Sequence, residues 1–197
     1  MNIVLFLFMV LYFFIMLAVF VVGIISVYFM VNSGCMRHAP PVPTSGKVKE
    51  AMIADMAEFL QKKNKQVIMD LGSGWGTLLL PLAKQFPKHQ FIGIEYGCIP
   101  YWVSKLRSRK IKNLTFYRQN FFNSDISKAD VIFMFLLSHL MKKVSIKCLA
   151  EAKEGCLLYV NRFSIPNMKP EKEVRLGSKY DTYYVYKIHS KKKKSKR

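Results

Sequence analysis

"VIMDLGSGWGTLLL", residues 67–80, is an apolar run closed by an aspartate, followed by three glycines at alternate positions and a second apolar run. The first run reads as a buried strand and the second as the start of a helix. Backbone without Cβ atoms turns tightly and lets a ligand lie against the main chain. A helix start adds unpaired N–H groups suited to a carboxylate. The stretch therefore predicts a strand, a binding loop and a helix, and its exact residues narrow the ligand.

A phosphate-binding loop needs G-x-x-x-x-G-K-[ST], and no lysine follows here. A dinucleotide loop is G-x-G-x-x-G, whereas Gly72, Gly74 and Gly76 form G-x-G-x-G. Two acids fit something else. Asp70, at the strand end, can accept hydrogen bonds from an ammonium group. Glu95 closes the next strand candidate, "FIGIE", where a carboxylate can accept both hydroxyls of a ribose. A ligand with an amino-acid end, a ribose and no phosphate is S-adenosylmethionine.

Working outward, short β-rich runs at 66–70, 90–95, 114–118, 130–136 and 155–161 alternate with helical candidates at 76–85, 99–109 and 138–152. A further helix is expected at 46–63, with apolar residues at helical spacing. This order predicts an α/β fold with a mostly parallel sheet covered on both faces. Runs at 173–177 and 182–188 predict an antiparallel hairpin at the sheet edge.

"DLGSGWG" and the following "GIEYG" resemble the first two motifs of class I S-adenosylmethionine-dependent methyltransferases, over roughly residues 42–188. The layout, an apolar N-terminal segment and then "PPVPT", is similar to membrane-anchored protein-lysine methyltransferases of mitochondria and their bacterial relatives. The resemblance implies a Rossmann-like methyltransferase fold preceded by one transmembrane helix. It implies that Asp70, Gly72, Ser73 and Gly74 line the donor's methionine portion and that Glu95 holds the ribose. Tyr96 would pack on the adenine, Asn120 would touch its amino group, Phe121 would form an apolar wall, and Thr44 would reach the carboxylate. Gly76 reads equally well as a packing glycine. On the acceptor side, "DVIFMFLLSHLMKK" lacks a [DN]-P-P-[YF] motif, which argues against methylation of adenine N6 or glutamine. Ser138, His139, Asn161 and Arg162 stand in the acceptor region, and no catalytic residue is assigned.

Residues 1–36 form an expected membrane anchor, with no charged side chain before Arg37. A bilayer core of about 30 Å takes roughly 20 helical residues, and this run exceeds that. A cleaved signal would need a basic start and a shorter apolar core. Arg37, Lys47 and Lys49 follow the segment, which predicts the N-terminus outside and the domain facing the cytoplasm or a mitochondrial matrix. Residues 37–45 form a proline-rich linker, 46–188 the methyltransferase domain and 189–197 a polybasic tail.

The chain's 31 basic and 12 acidic residues give +19, which attracts an anionic partner. The tether favours a lipid bilayer, met through the N-terminal helix and by the basic tail, over nucleic acid. Cys35, Cys98, Cys148 and Cys156 show no C-x-x-C pair and no histidine at ligand spacing, so neither a metal site nor a disulfide framework is expected. The reading is a membrane-anchored methyltransferase acting on lysines of a membrane-associated protein. Methylation of a lipid or small hydrophobic molecule, and a non-catalytic adaptor on a degenerate fold, are the alternatives.

Overall fold

Alternation of side chains along each strand sorts the apolar residues into two sets, one for each face of a central sheet. The computed structural model describes residues 3–35, 46–178 and 180–189, with side chains from 3 to 29 in the first of these. Seven strands form the sheet: β1 (Val67–Leu71), β2 (Gln90–Glu95), β3 (Leu114–Arg118), β4 (Val131–Met134), β5 (Leu157–Asn161), β6 (Lys172–Arg175) and β7 (Thr182–Lys187). Their spatial order is β3-β2-β1-β4-β5-β7-β6. The first five pair in parallel, and β7 lies antiparallel between β5 and β6. The expected hairpin is therefore present, with β6 at the edge.

Ile68, Phe91, Phe116, Phe133 and Tyr159 share one core cluster with α2 (Gly46–Gln61) and α3 (Leu79–Gln85). Met69, Ile94, Ile132, Met134 and Leu158 share the other with α5 (Ser138–Glu151). Helix α4 (Cys98–Ser108) packs beside β3 and places Tyr101 against the first cluster. Asp130 serves the frame: its carboxylate accepts the Val67 N–H at 2.7 Å and pairs with Lys153 at 2.6 Å. Helix α3 starts at Leu79, not at residue 76 as the apolar spacing suggests, because Gly76 sits at φ 70°, outside the helical region.

Residues 1–42 form a unit separate from 43–197. Its helix, α1 (Ile3–Cys35), has 33 residues and so is about 50 Å long. The stretch Ile3–Phe29, with a mean hydropathy of 3.1 over an 18-residue window, is long and apolar enough to cross a membrane. The apolar side chains lie on every side of the helix, as expected for a span and unlike an amphipathic surface helix.

Candidate donor-binding site

After β1 the chain moves outward through β2 to β3, then returns to place β4 on the other side of β1. In an open parallel sheet the crevice at the carboxyl ends beside such a reversal is where ligands bind. Asp70 stands at the end of β1, Glu95 at the end of β2, and Asn120 and Phe121 just past β3. The register sets Asp70 beside Gly93 on one side and Phe133 on the other. Residues far apart in sequence thus converge at one rim.

The glycine loop runs in left-handed backbone at all three glycines, with φ of 84° at Gly72, 53° at Gly74 and 70° at Gly76. The Ile94 carbonyl pins its first turn by accepting the Gly72 and Ser73 N–H groups at 2.8 and 3.0 Å. The glycines differ in what a side chain would meet. At Gly74 a Cβ would face open space, so the loop's outer surface is bare main chain. At Gly76 a Cβ would come within 2.7 Å of Phe116 Cζ and 3.3 Å of Ser104 Cβ. Gly76 therefore serves close packing of the loop onto β3 and α4.

Glu95 links the two halves of the rim. Its Oε2 accepts the Gly74 N–H at 2.7 Å, and its Oε1 accepts the Gly97 N–H at 2.6 Å. A carboxylate has about four lone-pair sites. Two are committed to orientation, and one on each oxygen remains for a pair of vicinal hydroxyls. Asp70 is 7% exposed, and its carboxyl is pushed up from 3.8 to about 7 by burial first and by the Glu95 charge second. A cation placed beside it would oppose both effects by attraction and favour the ionised form. Among the described residues the Ser73 hydroxyl, buried against Gly93, has no hydrogen-bond partner, which leaves it for a bound group to satisfy.

Of the other expected residues, Asn120 caps a 3-10 turn at Phe121–Asn123 by accepting the Phe122 N–H at 3.0 Å. Phe121 is half-buried against Phe122, ring centres 4.4 Å apart, at the border of the second core cluster. Tyr96 is exposed at the rim. Thr44 lies outside the described residues, as do the linker and residues 190–197 of the tail. Ser138 and His139 are exposed in the first turn of α5, beyond the carboxyl end of β4. Arg162 follows β5 at φ 69°, its guanidinium 4.6 Å from the Tyr180 ring centre.

Sequence reasoning assigned no role to Gly97, Leu136 or Arg107. Gly97 sits in the quoted "GIEYG", and its Cβ would be 3.0 Å from Glu95 Oε1. Leu136, past β4, lies 3.3 Å from where a Gly72 Cβ would stand. Arg107 donates to the Trp75 carbonyl at 2.9 Å and fastens the loop to α4. Neither of the last two carries a motif; both depend on tertiary approach.

A sequence model of the ANTKMT methyltransferase domain matches residues 70–172, more than half of the chain. The chain belongs to this family. The matched stretch begins at Asp70 itself and ends at the first residue of β6. This methyltransferase is 28% identical over 156 residues to a protein-lysine N-methyltransferase of Saccharolobus islandicus strain REY15A, covering 77% of this chain and 94% of the relative. Its fold matches an RNA methyltransferase of Salinibacter ruber, solved with S-adenosyl-L-homocysteine, at a TM-score of 0.67 and 23% identity, over 76% of this chain and 95% of that one. A Geobacter sulfurreducens S-adenosylmethionine-dependent methyltransferase, also solved with S-adenosyl-L-homocysteine, aligns at a TM-score of 0.50 and 20% identity, covering 68% and 54%. Fold and family together make S-adenosylmethionine the methyl donor of this enzyme.

Proposed function

We propose that this methyltransferase modifies lysine side chains of a membrane-associated protein while α1 holds it in the bilayer. The observation that carries the site is the pair of carboxylates, Asp70 and Glu95, ending adjacent strands on either side of a bare glycine loop. The archaeal relative's name supports a protein-lysine acceptor. The length and hydropathy of α1 support the tether, and Lys47 and Lys49 after it support a domain on the cytoplasmic or matrix side.

S-adenosylmethionine, when bound, supplies a methyl group on a sulfonium, already activated for in-line displacement. The residues of the chain then have to bind, orient and exclude water. In this reading ionised Asp70 accepts the donor's ammonium group, and the Gly72–Gly74 main chain lies along its methionine portion. The free lone pairs of Glu95 accept the ribose hydroxyls. Tyr96 and Phe121 flank the adenine, Asn120 offers its amide, and Thr44 reaches the carboxylate from the preceding segment.

A lysine acceptor has an ordinary pKa near 10.4 and must arrive neutral. Entry of the amine beside the apolar side chain of Leu136, which borders Gly72, favours the neutral form by desolvation. Tethering compensates for weak recognition by raising the effective concentration of a substrate in the same membrane.

The test incubates the full-length protein with native membranes and methyl-labelled S-adenosylmethionine. Label in protein bands that yields methyl-lysine on hydrolysis is the expected result. Label confined to the lipid extract or to nucleic acid would overturn the lysine assignment.

A further inference from the structure

Helix α4 is built inside out. Its buried positions include Ser104 and Ser108, whereas Ile99, Trp102 and Leu106 are 40, 57 and 64% exposed. These three fall at i, i+3 and i+7, which makes one outward stripe. The reason for the inversion lies underneath, where the helix packs on the glycine loop. Ser104 Cβ is 3.3 Å from where a Gly76 Cβ would stand, and a larger side chain has no room. Close packing accounts for the serines inside; it does not account for the tryptophan and leucine outside.

The segment that carries the stripe is basic. From Tyr96 to Ser124 the chain has Lys105, Arg107, Arg109, Lys110, Lys112 and Arg118, and no acidic residue. Lys105 sits one turn before Arg109 on the outward side, with Nζ 5.2 Å from the Trp102 ring centre and 5.5 Å from that of Tyr101. Tyr101 and Trp102 meet edge-on at 5.3 Å. Indole rings with lysine and arginine stems around them match a lipid–water interface, where rings enter the headgroup layer and charges reach phosphates.

We propose that the outward face of α4 is a membrane-docking surface that rests on an anionic lipid bilayer. Charge complementarity selects this occupant: an exposed apolar stripe on a segment, residues 96–124, that carries six cations and no anions matches a negatively charged leaflet. The same chain carries a 27-residue stretch long enough to span one. Gly97, whose amide orients Glu95, caps the N-terminus of α4, so docking sets the donor rim beside the membrane surface. The proposal deepens the anchored reading of α1 and has a separate readout.

The test uses the full-length Trp75→Phe protein, in which Trp102 is the one remaining tryptophan. It is reconstituted into neutral phosphatidylcholine vesicles, and into vesicles containing about a third phosphatidylglycerol. Flotation and alkaline carbonate extraction report anchoring, and emission with bromine-labelled lipids reports Trp102. In anionic vesicles Trp102 emission shifts to the blue and bromolipid quenches it roughly twofold. Leu106→Glu abolishes the quenching, and Lys105→Glu with Arg109→Glu or about 0.5 M salt weakens it. Binding of S-adenosylhomocysteine by each variant confirms that it is folded. A chain that floats and resists carbonate, yet keeps Trp102 open to acrylamide and unquenched, overturns the α4 proposal alone. Salt-sensitive quenching with carbonate release overturns the anchor and leaves α4 standing. A chain that neither floats nor shows quenching overturns both.

Discussion

The Gly74 amide and the Glu95 carboxylate meet at 2.7 Å, and the other oxygen of Glu95 holds the Gly97 amide at 2.6 Å. One side chain thus sets both the glycine loop and the turn after β2, and in the proposed site its outer lone pairs face the donor. Glu95→Gln has nearly the same shape but turns an NH2 toward one of those two N–H groups. Donor affinity is expected to fall about 10–100-fold, the worth of one or two charge-assisted hydrogen bonds. Calorimetric titration with S-adenosylmethionine measures this, with circular dichroism confirming the fold.

Asp70 gives the site a pH dependence. Its folded pKa of about 7 lies above the ordinary 3.8, so between those values the folded state binds the extra proton. The stability that Asp70 contributes is therefore fully present near pH 4 and is lost as pH rises toward 7. Asp70→Asn is expected to stabilise the ligand-free protein at pH 8 by about 1–3 kcal/mol, with the difference vanishing near pH 4. Denaturant melts at the two pH values check it. Donor binding has the opposite sign, because an ammonium group needs the ionised carboxylate. Affinity should fall by up to about tenfold per pH unit below 7 in the wild type and stay flat in the variant.

Gly74→Ala and Gly76→Ala separate ligand space from packing space. Both force alanine into left-handed backbone, at about 1 kcal/mol each. At Gly76 the added methyl also meets Phe116 at 2.7 Å, so the total loss of stability should reach about 2–4 kcal/mol. At Gly74 the methyl enters open space on the ligand side, so donor binding should suffer more than thermal stability. Melting temperatures and titrations of the pair show whether the two losses divide in this way.

Asp55 on α2 accepts Tyr183 Oη at 3.0 Å and pairs with Lys172 at 2.8 Å, tying α2 to the β6–β7 hairpin. Its carboxylate is mostly shielded, and Tyr183 is buried. Asp55→Ala should cost about 1–2 kcal/mol by stranding the tyrosine hydroxyl. Lys62→Ala removes a pair with Glu58 in which both side chains are exposed, and should leave stability unchanged. Unfolding curves of the two variants test the contrast.

Periodicity carried most of the frame. The strands lie within two or three residues of their apolar runs, because the runs of β1, β4 and β5 are buried on both faces and those of β2, β3 and β7 keep a buried face between polar turns. The start of α3 was obscured because Thr77 and Leu78 fit a helix in composition, while Gly76 forbids one by its backbone. At the candidate site, the strand-end positions of Asp70 and Glu95 were legible because each closes an apolar run beside a glycine pattern. Gly97 and Leu136 were not, since an amide's orientation and a leucine's approach arise only when β1, β2 and β4 align. The exposed stripe of α4 was hidden for a related reason. Apolar residues at helical spacing read as a core face until the tight loop beneath them claims the serines instead.

The central claim is a donor site built on Asp70 and Glu95. It is tested most directly by titrating the full-length protein in detergent with S-adenosylmethionine, beside the Asp70→Ala, Glu95→Ala double variant. Saturable binding by the wild type, absent from a variant with the same circular dichroism spectrum, is the predicted result. Equal binding by both, or none by a folded wild type, would contradict it.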